Sequence, residues 1–297
     1  MTLIVSTTLR QAWLRILGAA EIHSFVATSS LGHRFVCHVG DSLGENPFYN
    51  RGAFRAELEL CAAWLLEDDH PLVFDVGANV GFWSTHLVQM LGRRPVDIFA
   101  FEPVPSTLRK LIESVERLGL GDRVHVVAAA VLDQARPVRL SYSARESQFA
   151  QVAHNGGINP RAGNRVAYAA GLTLDGFAGS LDVVPALVKV DVEGGEIDVL
   201  RGARRLLEHP NRPCLMFELN PTTLAETGAD RSLFRDLLSG YALYYVDDFE
   251  GQRRPLGEPV RSLDEITWVC NLFAVPATEQ GAARWKSTLD TARRRLD

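Results

Sequence analysis

No stretch of this 297-residue chain is a long apolar run, and crossing a bilayer as a helix takes ~20 such residues. That absence excludes a membrane-spanning helix, so no membrane partner is expected. A basic excess is missing too, because the formal net charge is −5. Proteins that grip a nucleic-acid backbone must neutralise phosphates and usually carry a basic face, so no nucleic-acid partner is expected either. Local basic clusters (Arg201, Arg204 and Arg205; Arg293, Arg294 and Arg295) lie in helix-like segments near acidic residues and read as solvated faces. Cysteine is scarce. Cys37, Cys61, Cys214 and Cys270 are far apart, without Cys-x-x-Cys spacing, which excludes a zinc-ligand framework or a disulfide scaffold. They read as reduced core residues of a cytoplasmic protein. Met1 to Ile16 lacks the continuous apolar segment and cleavage site of a secretion signal. Internal repeats and low-complexity tracts are absent as well.

What is present is an ordinary globular composition, 46% apolar and 23% charged, on a chain long enough to bury a large core. Residues 1–70 read as an extension. It comprises a helix from about Thr8, two strands flanking the turn-like Ser29-Ser30-Leu31-Gly32, and a helix from about Arg55 to Leu66. The edges of that hairpin offer a second copy of the chain a place to pair as a homodimer. From residue 71 to 297 the pattern changes to strands alternating with helices. Strands are expected at Leu72 to Val76, Val96 to Phe101, Val124 to Ala130, Ala186 to Val192, Cys214 to Leu219, Ala242 to Val246 and Thr267 to Val275. Helices are expected at Phe82 to Leu91, Ser106 to Leu118 and Glu196 to Leu207. Such alternation implies an α/β domain with a doubly wound, mainly parallel sheet. Ser143 to Gly171 is rich in Gly, Asn, Ser and Gln and reads as a long functional loop.

The first strand-to-helix turn is Asp75-Val76-Gly77-Ala78-Asn79-Val80-Gly81. Its glycines allow a sharp turn and close approach to a ligand, at the N-terminus of a helix whose free N–H groups face that ligand. Dinucleotide sites show Gly-x-Gly-x-x-Gly here. This chain has Gly-x-x-x-Gly preceded by an acid, which would repel a pyrophosphate but suits a cationic amino-acid group. S-adenosylmethionine is therefore favoured over NAD. Ala100-Phe101-Glu102-Pro103 ends the second strand, placing Glu102 at the interval from which an acid reaches a ribose diol, about 20 residues on.

Lys189, Asp191 and Glu193 alternate along the Ala186 to Val192 strand, so they share one face. Three ionisable groups on an interior strand are costly unless they pair or face a cleft. They fall at the strand's C-terminal end, where ligands bind in such sheets. Glu218, near the end of the next strand, joins the same neighbourhood.

Taken with Thr173-Leu174-Asp175 and Lys189-Val190-Asp191-Val192-Glu193-Gly194-Gly195-Glu196, these motifs stand in the order and spacing of FkbM-family methyltransferases, which the chain resembles over about residues 50 to 220. Gly52 to Glu57 is similar to that family's upstream helix, with Phe54-Arg55 where an aromatic–Glu pair is frequent. The resemblance implies a seven-stranded, Rossmann-like class I methyltransferase fold and S-adenosylmethionine as donor. It also implies a hydroxyl acceptor on a sugar, polyketide or similar small metabolite. By position, Asp75, Gly77, Ala78, Asn79, Gly81 and Phe82 would wrap the methionine end of the cofactor. Glu102 and Pro103 would hold the ribose, Ala130 and Val131 would flank adenine, and Asp191 would face the sulfonium or the amino group.

Methyl transfer to an alcohol needs alignment and removal of a proton. Asp191 and Glu193, tuned by Lys189, are candidate catalytic groups, and His154 and Glu218 are candidate acceptor contacts. A divalent cation on Asp191, Glu193 and Glu218 is disfavoured by Lys189 beside them, so no metal is expected. An N-methyltransferase, an NAD-dependent oxidoreductase and a non-catalytic cofactor-binding relative are the rival readings. The missing third glycine argues against the oxidoreductase.

Overall fold

Apolar runs and their interruptions set the order of elements. The structure, a computed structural model, describes residues 7–49, 54–143, 151–152, 165–227, 230–247 and 254–296. The chain begins with helix α1 (Thr7–Ala19), the antiparallel hairpin β1 (Ser24–Thr28) and β2 (Arg34–His38), and helices α2 (Ser42–Tyr49) and α3 (Arg55–Leu65). The α/β core follows as β3 (Leu72–Val76), α4 (Phe82–Leu91), β4 (Asp97–Phe101), α5 (Pro105–Leu118) and β5 (Val124–Val127). Next come β6 (Ala130–Val131), β7 (Pro137–Tyr142), β8 (Gln151–Val152), β9 (Arg165–Leu172) and α6 (Leu174–Leu181). The remainder is β10 (Leu187–Val190), α7 (Glu196–Arg201), α8 (Arg204–Glu208), β11 (Cys214–Leu219), α9 (Pro221–Thr227), α10 (Ser232–Leu237), β12 (Tyr241–Asp247), β13 (Cys270–Pro276) and α11 (Glu279–Leu296).

The central sheet has seven strands in the order β12-β13-β11-β10-β3-β4-β5. Strands β11, β10, β3, β4 and β5 run parallel, and β13 is antiparallel to both of its neighbours. This is the mixed α/β, mostly parallel sheet that the strand–helix alternation predicts. The chain order reverses between β3 and β10, so the C-terminal tips of these two strands flank the crevice where ligands bind in doubly wound sheets. One face carries Phe74, Val76, Val188, Val190, Leu215 and Phe217 against α6, α7 and α10. The other carries Val73, Leu187, Cys214, Met216 and Phe273 against α3, α4 and α11.

Helices α2, α6, α9, α10 and α11 are absent from the sequence expectation, and three further elements depart from it. The expected helix from Glu196 to Leu207 is two helices, because Gly202 packs against Leu132 so closely that a Cβ there would lie 2.0 Å from the Leu132 carbonyl oxygen. The third strand ends at Val127 rather than Ala130, and Ala130 and Val131 instead pair with Gly171 and Leu172 in a second sheet. That four-stranded sheet, β6-β9-β7-β8, occupies part of the stretch expected to be one irregular loop. Half of strand β9 is Ala or Gly, and its larger apolar residues Val166 and Tyr168 are exposed, so it lacks the apolar–polar alternation by which strands are recognised. The hairpin lies on α4 and α5, where buried His38 bonds Ser114 and buried His86 bonds Ser29.

Candidate functional site

The crossover from β3 to α4 is tied to the tips of two neighbouring strands. Gly77 and Ala78 donate their N–H groups to the Phe101 carbonyl at 3.1 and 2.9 Å. The Asn79 N–H donates to Glu102 Oε2 at 3.1 Å, and the Val104 N–H to Glu102 Oε1 at 2.8 Å. Gly77 has φ 81°, and a Cβ at that position would lie 1.9 Å from the Asp191 carbonyl oxygen. Only glycine lets the β3 turn and the end of β10 approach in this way. The turn therefore locks Glu102 on one side and Asp191 on the other.

Beneath it lies a buried ionic group. In the sheet register Lys189 stands between Asp75 and Met216, among apolar neighbours on the face covered by α3. Its ammonium reaches Asp191 Oδ2 at 3.0 Å and Asp75 Oδ1 at 3.6 Å, and it lies 5.9 Å from the centre of the Trp83 ring. Burial alone would lower the pKa of Lys189. Asp191, Asp75 and Glu57 together more than offset that penalty and keep the ammonium charged. Asp75 is fully buried, and burial raises its pKa against the pull of Lys189 and a 2.5 Å hydrogen bond from Ser84. Among the described residues, Oδ1 of Asp75 and Nε1 of Trp83 are both buried without a hydrogen-bond partner.

Further acids crowd the strand tips. Glu196 is buried and accepts the Val192 and Gly194 N–H groups at 3.2 and 3.1 Å, closing the turn after β10. Burial pushes its pKa up to about 7, and burial does the same to Glu102. Glu193 is pushed up to about 8 by burial and by Asp191 and Glu196. Glu218, which accepts a hydrogen bond from Asn220, is pushed up to about 9 by burial and by Asp191, Glu193 and Glu196. Asp191 differs from Asp75 and Lys189 in reaching solvent, with 34% of its side chain exposed against 0% and 6%.

The structure thus brings Asp75, Gly77, Asn79, Glu102, Lys189, Asp191, Glu193 and Glu218 to one edge of the sheet. It corrects the shared-face expectation for Glu193. Strand β10 stops at Val190, and although the Asp191 N–H still bonds Val76, Glu193 takes a left-handed φ of 55°. Its place in the cluster comes from the turn that Glu196 closes, not from strand alternation. Phe82 stacks on His86 at 3.8 Å and packs with Phe54 and Phe35, which makes it part of the seam under the hairpin. Ala78, Ala130 and Val131 are buried in apolar clusters, and Pro103 is half-buried. His154 lies outside the described residues. Among the described residues no three His, Cys, Asp or Glu side chains are placed to hold a metal ion. The sequence motifs include Glu57 and Glu196 without giving either a role, and they do not include Asn271. The carboxylate of Glu57 is buried, takes a hydrogen bond from the Asn271 amide and acts on Lys189.

Residues 75–242, more than half of the chain, match the family described as the methyltransferase FkbM domain. A curated relative, the hexuronic acid methyltransferase AglP of Haloferax volcanii, is 31% identical over 155 residues, covering 49% of this chain and 54% of the relative. The chain thus spans about half the length of that relative. Among solved structures, the methyltransferase FkbM of Methylobacillus flagellatus is 19% identical with a TM-score of 0.45, covering 69% of this chain and 44% of its own. A S-adenosylmethionine-dependent methyltransferase of Agrobacterium tumefaciens is 10% identical with a TM-score of 0.43, covering 86% of this chain and 71% of its own.

Proposed function

The chain belongs to the FkbM methyltransferase family, and we propose that it transfers a methyl group to a hydroxyl of a small polar metabolite, with a sugar or glycoside as the acceptor class. Its donor is S-adenosylmethionine. The residues present fit that donor. Two carboxylates (Asp75 and Asp191) share the one ammonium of Lys189, so the pocket keeps excess negative charge for a cationic ligand. A Cβ at Gly77 would block the crossover. Each oxygen of Glu102 carries one backbone N–H, and a carboxylate oxygen has a second lone pair with which to accept a ribose hydroxyl. Asp75, Gly77 and Asn79 would surround the methionine end, with Asp191 toward the sulfur.

When bound, the donor supplies a methyl carbon already activated by its sulfonium. The chain must then align the acceptor and take its proton. Asp191 is suited to that work. Lys189 fixes one of its oxygens at 3.0 Å, its backbone abuts Gly77, and its side chain reaches solvent at the cofactor turn. This single placement carries the hydroxyl reading. With the donor held by Asp75, Gly77, Asn79 and Glu102, Asp191 would receive the acceptor's hydroxyl proton and later release it to water. Glu193 and Glu218, pushed up to about 8 and about 9, hold protons at neutral pH and are suited to hydrogen-bonding the acceptor rather than deprotonating it. The name of the relative from Haloferax volcanii supports a sugar acid as one acceptor to try.

The test is a labelled-methyl assay over a panel of uronic-acid glycosides, neutral glycosides and amines, with the methylated atom located by NMR. A methyl ether is the expected product. A methylated nitrogen, or a methyl ester cleaved by mild hydroxide, would overturn the hydroxyl reading.

A further inference from the structure

We propose that helix α1 is an interfacial docking element, which lays its outer apolar face on an anionic lipid surface. This contact is separate from the methyl-transfer site and lies outside the segment matched to the family. Among the described residues no helix is long and apolar enough to cross a membrane, but lying on a bilayer makes a different demand. It needs a helix whose apolar side chains share one face, with an aromatic anchor and cations along its borders.

Helix α1 has two apolar faces, and the fold uses one of them. Leu14 and Leu17 are buried, and Leu14 joins a cluster with Phe35 and Cys37 of the hairpin. Arg10 secures the same side, donating to the Phe48 carbonyl and lying 5.2 Å from the centre of the Phe48 ring. Leu9, Trp13 and Ile16 follow one another at intervals of four and three residues, so they share a second face. That face is open, with the three side chains 62%, 50% and 57% exposed. Ala12 and Ala19 on the same face are exposed as well. A row of large apolar side chains left in water marks a contact surface.

Charge decides what covers the row. The ionised side chains on α1 are Arg10 and Arg15, and the first acid of the chain is Glu21, past the end of the helix. One helical turn takes about 3.6 residues, which sets the two arginines on opposite borders of the row. Guanidinium groups stand in that way when a helix lies among acidic headgroups. A second copy of α1 on the same face would set arginines against arginines, with no carboxylate on either helix. Three exposed side chains also offer far less than the about 800 Å² per partner of a standard protein interface. A bilayer requires no matching surface, because its acyl boundary takes up the apolar row and its phosphates take up the arginines. Trp13, with an apolar body and an indole N–H, suits the boundary between the two.

Co-sedimentation of the full chain with lipid vesicles tests the contact. Vesicles of phosphatidylglycerol and phosphatidylcholine in equal parts are expected to bind the chain, and vesicles of phosphatidylcholine alone to bind it at least about tenfold more weakly. Leu9→Ser, Trp13→Ser and Ile16→Ser combined are expected to lower partition into the anionic vesicles at least about tenfold. These side chains lie apart from the buried face, so the melting temperature should stay unchanged. Should the triple variant lose its fold, Arg15→Glu decides, because it leaves the apolar row intact. It is expected to weaken binding to the anionic vesicles about tenfold. No binding of the unaltered chain to those vesicles, equal binding to both kinds, or binding untouched by these substitutions would overturn the proposal. Analytical ultracentrifugation reads the competing occupant. A dimer that the triple substitution turns into a monomer would place a second copy on the row and count against the lipid surface.

Discussion

Glu102 holds its position through two backbone N–H groups, one from the crossover and one from the start of α5. Its carboxylate is thus oriented before any ligand arrives, and a preoriented group gives up little freedom on binding. Glu102→Gln replaces one accepting oxygen with a donor and is expected to weaken S-adenosylhomocysteine binding about tenfold, or 1.4 kcal/mol, in a calorimetric titration. Unchanged affinity would remove the ribose assignment. Gly77→Ala is a harsher test. The new methyl group would meet the Asp191 carbonyl at 1.9 Å with φ at 81°, so destabilisation on the order of 2 kcal/mol and loss of cofactor binding are expected from denaturant unfolding and titration. These residues were legible in the sequence because a glycine turn and the acid that follows it sit at fixed intervals along one βαβ unit. The roles of Glu57 and Glu196, and the residue Asn271 itself, were not. Glu57 and Asn271 meet only when α3 folds over the sheet, and the position of Glu196 depends on two backbone N–H groups it caps.

At the scale of elements, the Thr173-Leu174-Asp175 motif has a structural explanation. Thr173 caps α6 by accepting the Gly176 N–H at 3.0 Å. Asp175 accepts the Arg205 and Leu206 N–H groups at 2.9 and 3.0 Å, which caps α8, and its own N–H bonds the Gly202 carbonyl. One short motif therefore starts two helices and fixes the break between α7 and α8. Asp175→Ala is expected to lower stability by about 1 kcal/mol without altering cofactor affinity, as measured by denaturant unfolding and titration. A changed affinity would mean that α8 bears on the site. Periodicity exposed the parallel strands and amphipathic helices because their apolar faces repeat regularly. The α7–α8 break escaped it because the cause is a distant contact, Gly202 against Leu132. Strand β9 escaped because half of its residues are Ala or Gly and its Val166 and Tyr168 face solvent.

For the molecule as a whole, concentrating acids at one sheet edge makes stability depend on pH. Folding raises the pKa of Glu102 and Glu196 to about 7, of Glu193 to about 8 and of Glu218 to about 9, each from 4.5. A carboxyl raised in this way contributes stability that is complete below its unfolded pKa and is lost as pH rises through the folded value. Burial lowers His38 to about 4 and His86 to about 3 from 6.5, so these two contribute above pH 6.5 and lose that contribution as pH falls. The melting temperature of the ligand-free protein is therefore expected to fall between pH 6.5 and 9, and Glu218→Gln should flatten that decline. A flat or rising curve in the unaltered protein would show that these carboxyls are better solvated than their burial implies. All the functional conclusions depend on acids from β4 and β10, joined by a glycine turn after β3, enclosing a cationic sulfur nucleoside. The most direct test is a crystal structure with S-adenosylhomocysteine bound. Density with the ribose hydroxyls on Glu102 and the sulfur beside Asp191 is the expected result, and a nucleoside seated away from these two carboxylates would contradict it.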